Sequence, residues 1–488
     1  MRNMTRNKSP HPSWATQHRV PGTELRNING NYYLYAVSST YDPIKKRARK
    51  VTGQILGKIT QKDGFIKSDK TQLREKASAG FDVGQLSIKE FGFACFIENH
   101  TGSITENLQK YFPKHWEMII IMAYCRMAFH SCIKSMPLHY HKSFLSERFN
   151  ITLTDKKVSL CMRELGQMRE KVSDYMKSFI KPSDYILFDM TNVFSSSGQI
   201  AIAKEGYNSD LIYDRQINLL YLFSPSLNQP VYYRLFPGNL REVKAFATCL
   251  KESGITDAVI IADKGFYSRS NIENLDNHGL NYLIPLRRNN ALIRYELLQK
   301  KGSNYFRFNN RIIWYESYHE QGYNIVLYHD GELRQQEEKD YLNRIETHPE
   351  KYSIEEFHQR QSRFGTIAIL NKLKSVSDPE QIYISYKSRG AIELVFDGLK
   401  NILKGDVTYM QNEDALNGWM FINHITLQWY YLIYAKLKEN NLLKKMSVAD
   451  LITHLKEIRK ARINGNWVLE PVVKSTMQIL EKAGYHIT

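Results

Sequence analysis

Apolar and polar positions along the chain change period several times, and each change marks a new element. Tyr32–Ser38 (YYLYAVS) and Ala48–Ile59 (ARKVTGQILGKI) alternate in strand fashion. Asp42-Pro43 between them is a turn signal, so the two stretches predict a β-hairpin with the basic tip Lys45-Lys46-Arg47. From 86 to 180 the spacing is helical, over Ser87–Glu98, Ile104–Tyr111, His115 to about Lys134 and Asp155–Phe179. Thr154 stands at the N-cap position of the last of these.

At Asp184 the pattern shifts to strands. Tyr185–Asp189 (YILFD), Ile217–Phe223, Val231–Phe236, Asp257–Ala262 and Asn281–Leu286 predict five buried strands, the first ending in a carboxylate. Helical stretches at Arg241–Glu252 and Asn271–His278 separate the later ones. Residues 288 to about 380 interrupt this order. They hold aromatic-rich strand-like pieces at Tyr305–Phe308, Arg311–Tyr318 and Gly322–His329, a charged helical stretch at Gly331–Phe357, and then Phe364–Leu373. A helix is predicted at Tyr386–Leu403, with Ile392, Val395, Phe396 and Leu399 as its buried stripe. An aromatic helix at Glu413–Glu439 and another at Val448–Arg459 follow.

Composition adds a partner class. The 488 residues carry a formal charge of +17, which favours a polyanion such as nucleic acid. Residues 1–60 hold eleven Lys and Arg against Glu24 and Asp42. Lys45, Lys46, Arg47, Arg49 and Lys50 cluster at the hairpin tip and suit phosphate contacts, although an ordinary solvated loop has the same composition. Residues 1–28 are polar and basic and are expected to form a flexible arm. Five cysteines without paired spacing point away from a disulfide framework or zinc site, and so to a reducing, cytoplasmic setting.

The chemistry converges on Tyr386, Arg389, Glu393 and Lys400, separated by two, three and six residues. On a continuous helix Arg389, Glu393 and Lys400 fall near one face, with Tyr386 one turn earlier. A carboxylate between cations and a phenol suits a metal-bound phosphate, and the same spacing also suits a solvated face with an Arg–Glu pair. Element order separates the two readings. Three strands, a helix, a strand, a helix, a strand and a later helix is the order of an RNase H-like core. Such a core sets its first strand beside its fourth, so Asp189, Asp263 and Glu393 would meet. Three carboxylates are the donor set of a two-metal phosphoryl-transfer site. Taken singly, Asp189 and Asp263 could each be a turn residue or helix cap.

On these residues the sequence resembles bacterial insertion-sequence transposases of the DDE class, the cut-and-paste group with a Tyr-(2)-Arg-(3)-Glu-(6)-Lys signature. YILFDMTNVF around Asp189 is similar to the family's first-Asp block and VIIADKGFYS around Asp263 to its second. Asn192-Val193 depart from the family's usual Gly-rich continuation, and Lys264 stands where many members carry Arg. The resemblance implies that Asp189, Asp263 and Glu393 hold two Mg²⁺ ions, for which Mn²⁺ could substitute. It implies that Tyr386, Arg389, Lys400 and Lys264 contact DNA phosphates. Trp314 is the candidate for stacking a flipped base, with packing inside its own sheet as the alternative. The implied partners are double-stranded DNA, as transposon ends and target, and a second copy of the chain in a synaptic homodimer on the bacterial nucleoid.

The expected architecture is therefore an α/β RNase H-like catalytic core interrupted by a β-rich insertion, with a mostly α N-terminal DNA-binding region and a helical C-terminal region. The expected boundaries are a basic arm at 1–28, the N-terminal region at 29–180, core at 181–287 and 381–410, insertion at 288–380, and C-terminal region at 411–488. Two other readings share these residues: an RNase H-like nuclease without strand transfer, and a catalytically silent DNA-binding descendant of a transposase.

Overall fold

The computed structural model describes residues 10–42, 46–78, 86–180, 185–206, 214–240, 242–255, 259–299, 304–373, 378–463 and 465–485. Lys45 at the hairpin tip lies outside them, as do the side chains of Ala391, Glu393, Asn401 and Ile402. The chain divides into two compact units, residues 1–89 with 458–473, and residues 90–457 with 474–488. This differs from the boundaries expected from the sequence. Helices after residue 90 belong with the large unit, and a C-terminal hairpin belongs with the small one.

In the small unit, strands Thr23–Ile28, Asn31–Asp42, Arg47–Thr60 and Gly64–Lys67 form one antiparallel sheet in chain order. The expected hairpin is its centre, running to the Asp42↔Arg47 pair. One expectation fails here: residues 10–28 are not a free arm. The reason is a small apolar core: Ala15 and Leu25 are buried against Leu34 and Ile59, with Trp14 and Phe65 packed around them. A second sheet joins Arg459–Ile463 to Asn466–Leu469 and Ser87–Glu90, so the C-terminal region is not helical throughout.

The large unit is mixed α/β. Its helices include α1 (Trp116–Phe129) and α2 (Asp155–Gln167). The α2 N-cap is Thr154, whose side chain accepts from the Lys157 N–H. This helix stops at Met168 and a separate one begins at Arg169, where the sequence predicts one continuous helix. The sheet follows with β1 (Tyr185–Ser195), β2 (Arg215–Ser224), β3 (Gln229–Pro237), α3 (Glu242–Ser253), β4 (Val259–Ile261), α4 (Arg269–Asn277) and β5 (Asn281–Pro285). Strands β1, β2 and β3 pair antiparallel in sequence, whereas β4 lies parallel between β1 and β5. The spatial order is thus 3-2-1-4-5.

The stretch after β5 does not make a separate sheet. β6 (Asn304–Phe308), β7 (Arg311–Glu320) and β8 (Tyr323–Asp330) form a meander, α5 (Gly331–Thr347) follows, and β9 (Thr366–Lys372) pairs with both β8 and β5. The Asp330 side chain caps α5 by accepting from Glu332 and Leu333 N–H. The predicted β-rich character is present, but these strands extend the central sheet to eleven strands.

The helix predicted at Tyr386–Leu403 is divided into α6 (Pro379–Lys387), α7 (Gly390–Asp397) and a π-helical turn at Gly398–Ile402. Its backbone stays right-handed through Ser388 and Arg389, but Arg389 N–H bonds back to Tyr386 rather than to Ser385. The π turn takes extra residues per turn, so Lys400 does not keep the angular position of a regular helix. The long α8 (Glu413–Glu439), capped by the Asn412 side chain, runs through the unit's core. Trp419, Phe421, Trp429, Tyr430 and Tyr431 are buried, which accounts for its aromatic pattern by packing.

Glu90 is a buried carboxylate in this unit. The Tyr124 hydroxyl donates to it at 2.6 Å and the Phe93 N–H at 2.5 Å. Burial nevertheless pushes its carboxyl from an ordinary 4.5 up to about 7. The folded state keeps a proton that the unfolded chain releases above 4.5, so stability falls as pH rises from 4.5 to about 7 and is flat beyond. The swing is on the order of 3 kcal/mol. Glu90→Gln is expected to remove this slope, seen as a variant-minus-parent stability difference that grows between urea melts at pH 5 and pH 8. Parallel pH profiles for the two proteins would refute it.

Candidate active site

Asp189 does not end its strand; it lies midway along β1, opposite Tyr221 of β2. The sequence stops the strand early because YILFD is apolar and MTNVF is mixed, yet both halves pair with β2. The short β4 explains the access. It covers β1 only from Tyr185 to Leu187, with Ile261 opposite Leu187. Asp189 is two residues past that pair on β1, and Asp263 is two residues past it, just beyond the end of β4. The ladder ends at Ile261, so both carboxylates follow the same end of the β1–β4 pairing, Asp189 still in its strand and Asp263 in the turn beyond β4.

Each Asp is oriented by the backbone. Asp189 Oδ1 accepts from the Met190 N–H at 2.9 Å. Asp263 Oδ1 accepts from Gly265 N–H at 2.6 Å and Phe266 N–H at 3.0 Å. A Cβ at position 265 would stand 2.9 Å from that same oxygen, so glycine keeps the turn open. All three backbone bonds fall on Oδ1 atoms, so a cation at either Oδ2 would break none of them.

Of the signature residues, Arg389 reaches this pair directly. Its Nη2 lies 3.3 Å from Asp189 Oδ2, with the side chains 19% and 22% exposed. The guanidinium expected on a DNA phosphate therefore rests on the first carboxylate. Glu393 lies on α7, which packs on β1 and β2. Lys400 is half-buried in the π turn.

Tyr386 meets the second Asp at a cavity of about 690 Å³, lined by Asp263, Lys264, Arg287, Arg288, Glu337 and Tyr386. Arg287 and Arg288 were not picked out from the sequence. Their signal was there, as a basic pair placed directly after a buried strand. Arg288 is anchored by Glu337 Oε1 at 2.8 Å and by the Thr366 carbonyl, which ties the wall of the cavity to α5 and β9. The cavity is thus shared by the end of β5 and the segment that follows it.

The remaining candidates lie on exposed strands. Trp314 on β7 is 41% exposed and meets Tyr305 of β6 at 5.4 Å between ring centroids, so it is not an interior residue of the sheet. In the small unit Lys46, Arg47 and Arg49 are exposed, whereas Lys50 pairs with Glu24 at 2.9 Å.

The chemistry of the donors suits a hard divalent cation: two carboxylates that follow the same end of the β1–β4 pairing, each held by the backbone through one oxygen, with Glu393 on a helix packed on β1. Among the described residues no group of three His, Cys, Asp or Glu forms a ready metal cluster, and the Glu393 side chain is not among those residues. No described helix is long and apolar enough to cross a membrane.

No match was found among curated proteins. Among solved structures, the chain is similar to a piggyBac transposase determined by cryo-electron microscopy as a synaptic complex with hairpin DNA. The identity is 10% and the TM-score 0.39, over 75% of this chain and 79% of that one. The family described as transposase DDE domain matches residues 186–472, over half of the chain and spanning Asp189, Asp263 and the Tyr386–Lys400 segment. The chain therefore belongs to the DDE-domain transposase family.

Proposed function

We propose that this protein is a cut-and-paste insertion-sequence transposase with an RNase H-like core. It binds the terminal inverted repeats of its element, hydrolyses a phosphodiester at each end and joins the freed 3′-OH to target DNA. The observation that carries this reading is the β1–β4 pairing, past one end of which both Asp189 and Asp263 follow by two residues. The 3-2-1-4-5 strand order and the helix carrying Glu393 support the same fold.

In this reading Asp189, Asp263 and Glu393 hold two Mg²⁺ ions. When bound, the ions supply Lewis-acid stabilisation of the attacking and leaving oxygens. The protein's own part is positional. Gly265 and Phe266 N–H groups fix Asp263, and Arg389 neutralises Asp189 until a phosphate and cation compete for the two partners. Tyr386 and Lys264 on the cavity wall, with Lys400, then hold backbone phosphates, contacts that position a strand without reading its bases. Arg389 can grip a phosphate through two N–H groups, so Arg389→Lys is not a neutral change. Synapsis of two ends calls for a homodimer.

A strand-transfer assay with end DNA and Mg²⁺ tests this reading. Joined product is the expected result. Cleavage without joining supports the nuclease, and binding alone the silent form. The exposed Lys46, Arg47 and Arg49 carry a second expectation. End-binding affinity should fall steeply with salt, and removing these three charges should lower the log–log slope by about 2–3. An unchanged slope would exclude the hairpin as a phosphate contact.

A further inference from the structure

The large unit holds a second cavity that uses none of the carboxylate or signature residues. It measures about 670 Å³ and is formed by α1, α2, the start of α8 and the segment leading into α8. The size suits a ligand of a few hundred daltons. Its floor is aromatic and apolar. The buried Arg126 guanidinium lies 4.3 Å from the Trp419 ring centroid, and Met162 is buried beside them. Arg126 is held by the Asn423 side chain at 3.1 Å, the Ser131 carbonyl at 3.2 Å and the Leu403 carbonyl.

The rim is cationic. Lys134, Arg163 and Lys404 are exposed there, and no Asp or Glu is present among the described lining residues. None of the three has a carboxylate at ion-pair distance among the described residues. Tyr409 stands over the same opening and is 77% exposed. Two rim residues also have unusual backbones. Lys404 has φ +50° and His130 φ +49°, in the left-handed region that favours glycine. At Lys404 the strain-free residue is the next one, Gly405, which does not take a positive φ. His130 and Lys404 each follow the end of a helix, where a left-handed residue closes the last turn.

We propose that this cavity binds one unpaired nucleotide of a DNA strand, its base against Tyr409 and its phosphates on Lys134, Arg163 and Lys404. An aromatic face with surrounding cations and no acid is the recognition chemistry of single-stranded nucleic acid. The segment at the mouth also joins the catalytic sheet. Val407–Thr408 pairs with Phe194–Ser195 at the far end of β1, roughly 16 Å along that strand from Asp189. The choice of a DNA strand, rather than a free nucleotide, rests on the transposase reading.

The test uses the full chain, a short fluorescein-labelled single strand, the duplex of the same sequence, and dAMP. Tyr409→Ala should weaken single-strand binding by about 5- to 150-fold and leave duplex affinity unchanged. Lys404→Gly should weaken it too while raising the melting temperature, because glycine relieves the backbone strain. Unchanged single-strand affinity in both variants overturns the proposal. Displacement of the oligonucleotide by an equal concentration of dAMP also overturns it, in favour of a free mononucleotide. Pocket variants that keep single-strand affinity, in a protein that cuts and joins ends, sink the pocket alone. Single-strand affinity lost in Tyr409→Ala, with no cleavage by the unaltered chain, keeps the pocket and sinks the transposase reading.

Discussion

Asp189→Ala, Asp263→Ala and Glu393→Ala are each expected to abolish end cleavage while leaving end binding intact. The drop should be at least about a thousandfold, on the order of 4 kcal/mol of lost transition-state stabilisation. The two Asp variants also differ in a useful way. Removing Asp189 takes away one negative charge beside Arg389, which leaves the site more positive toward a phosphate, and end binding should hold or tighten. Removing Asp263 frees only two backbone N–H groups in a solvent-accessible turn, so binding should not change. Cleavage assays and mobility shifts on the same end DNA measure both. Retained cleavage in any of the three variants would remove that residue from the metal site.

The largest expected effect on stability lies away from the site, where α2 crosses α8. A Cβ on Gly166 would meet the Asp414 carbonyl oxygen at 1.9 Å, and a Cβ on Gly418 would meet the Met162 carbonyl oxygen at 1.9 Å. Each glycine faces the residue four positions before the other, so the two helices are antiparallel and touch backbone to backbone over one turn. The Gln167 amide donates to Asp414 across the same crossing, at 2.9 Å. The colliding atoms are main-chain carbonyls, and no side chain can rotate away. Gly418→Ala must push the helices apart and loosen the packing of Trp419, Phe421 and Ile422 behind it. That should cost about 3 kcal/mol, at the upper end of the usual overpacking penalty. The loss of helix-interior glycine would return about 1 kcal/mol at most. Chemical denaturation measures the sum, and a variant as stable as its parent would show that the crossing can relax.

What could be read in the sequence was what local pattern and spacing control. Strand period located β1 to β5, and the Asp-Pro signal located the small hairpin, because alternation reports directly which face is buried. The DDE candidates followed from element order, since a carboxylate near a strand end is informative only when its neighbour strand is known. Interactions between distant segments could not be read. Nothing in Trp14 or Leu25 announces that they pack on Leu34 and Ile59, so the first segment passed for a free arm. The Tyr386–Leu403 stretch has a continuous apolar stripe, and periodicity cannot show that its hydrogen bonds change pattern at Arg389 and again at Gly398. The Arg389–Asp189 contact joins residues two hundred positions apart, and spacing could suggest only that Arg389 belonged near phosphate. Arg126 illustrates the converse: alone on an apolar helix it looks misplaced, until Asn423, Trp419 and two carbonyls are brought around it.

The nine-strand run from β3 to β6, by way of β9, has a consequence for engineering. Deleting residues 288–380 to obtain a minimal catalytic fragment would strip β9 from β5. β5 would then present a bare row of N–H and C=O groups at the margin of a strongly apolar sheet, a template for strand addition by another molecule. Tyr282, Leu283 and Ile284, now fully interior, would flank that margin. Such a truncated protein should self-associate on expression rather than behave as a smaller monomeric enzyme. The insertion is thus a structural wall of the β1–β5 sheet, and shortening it would have to stop at the tip of the β6–β7 hairpin, leaving β8 and β9 in place.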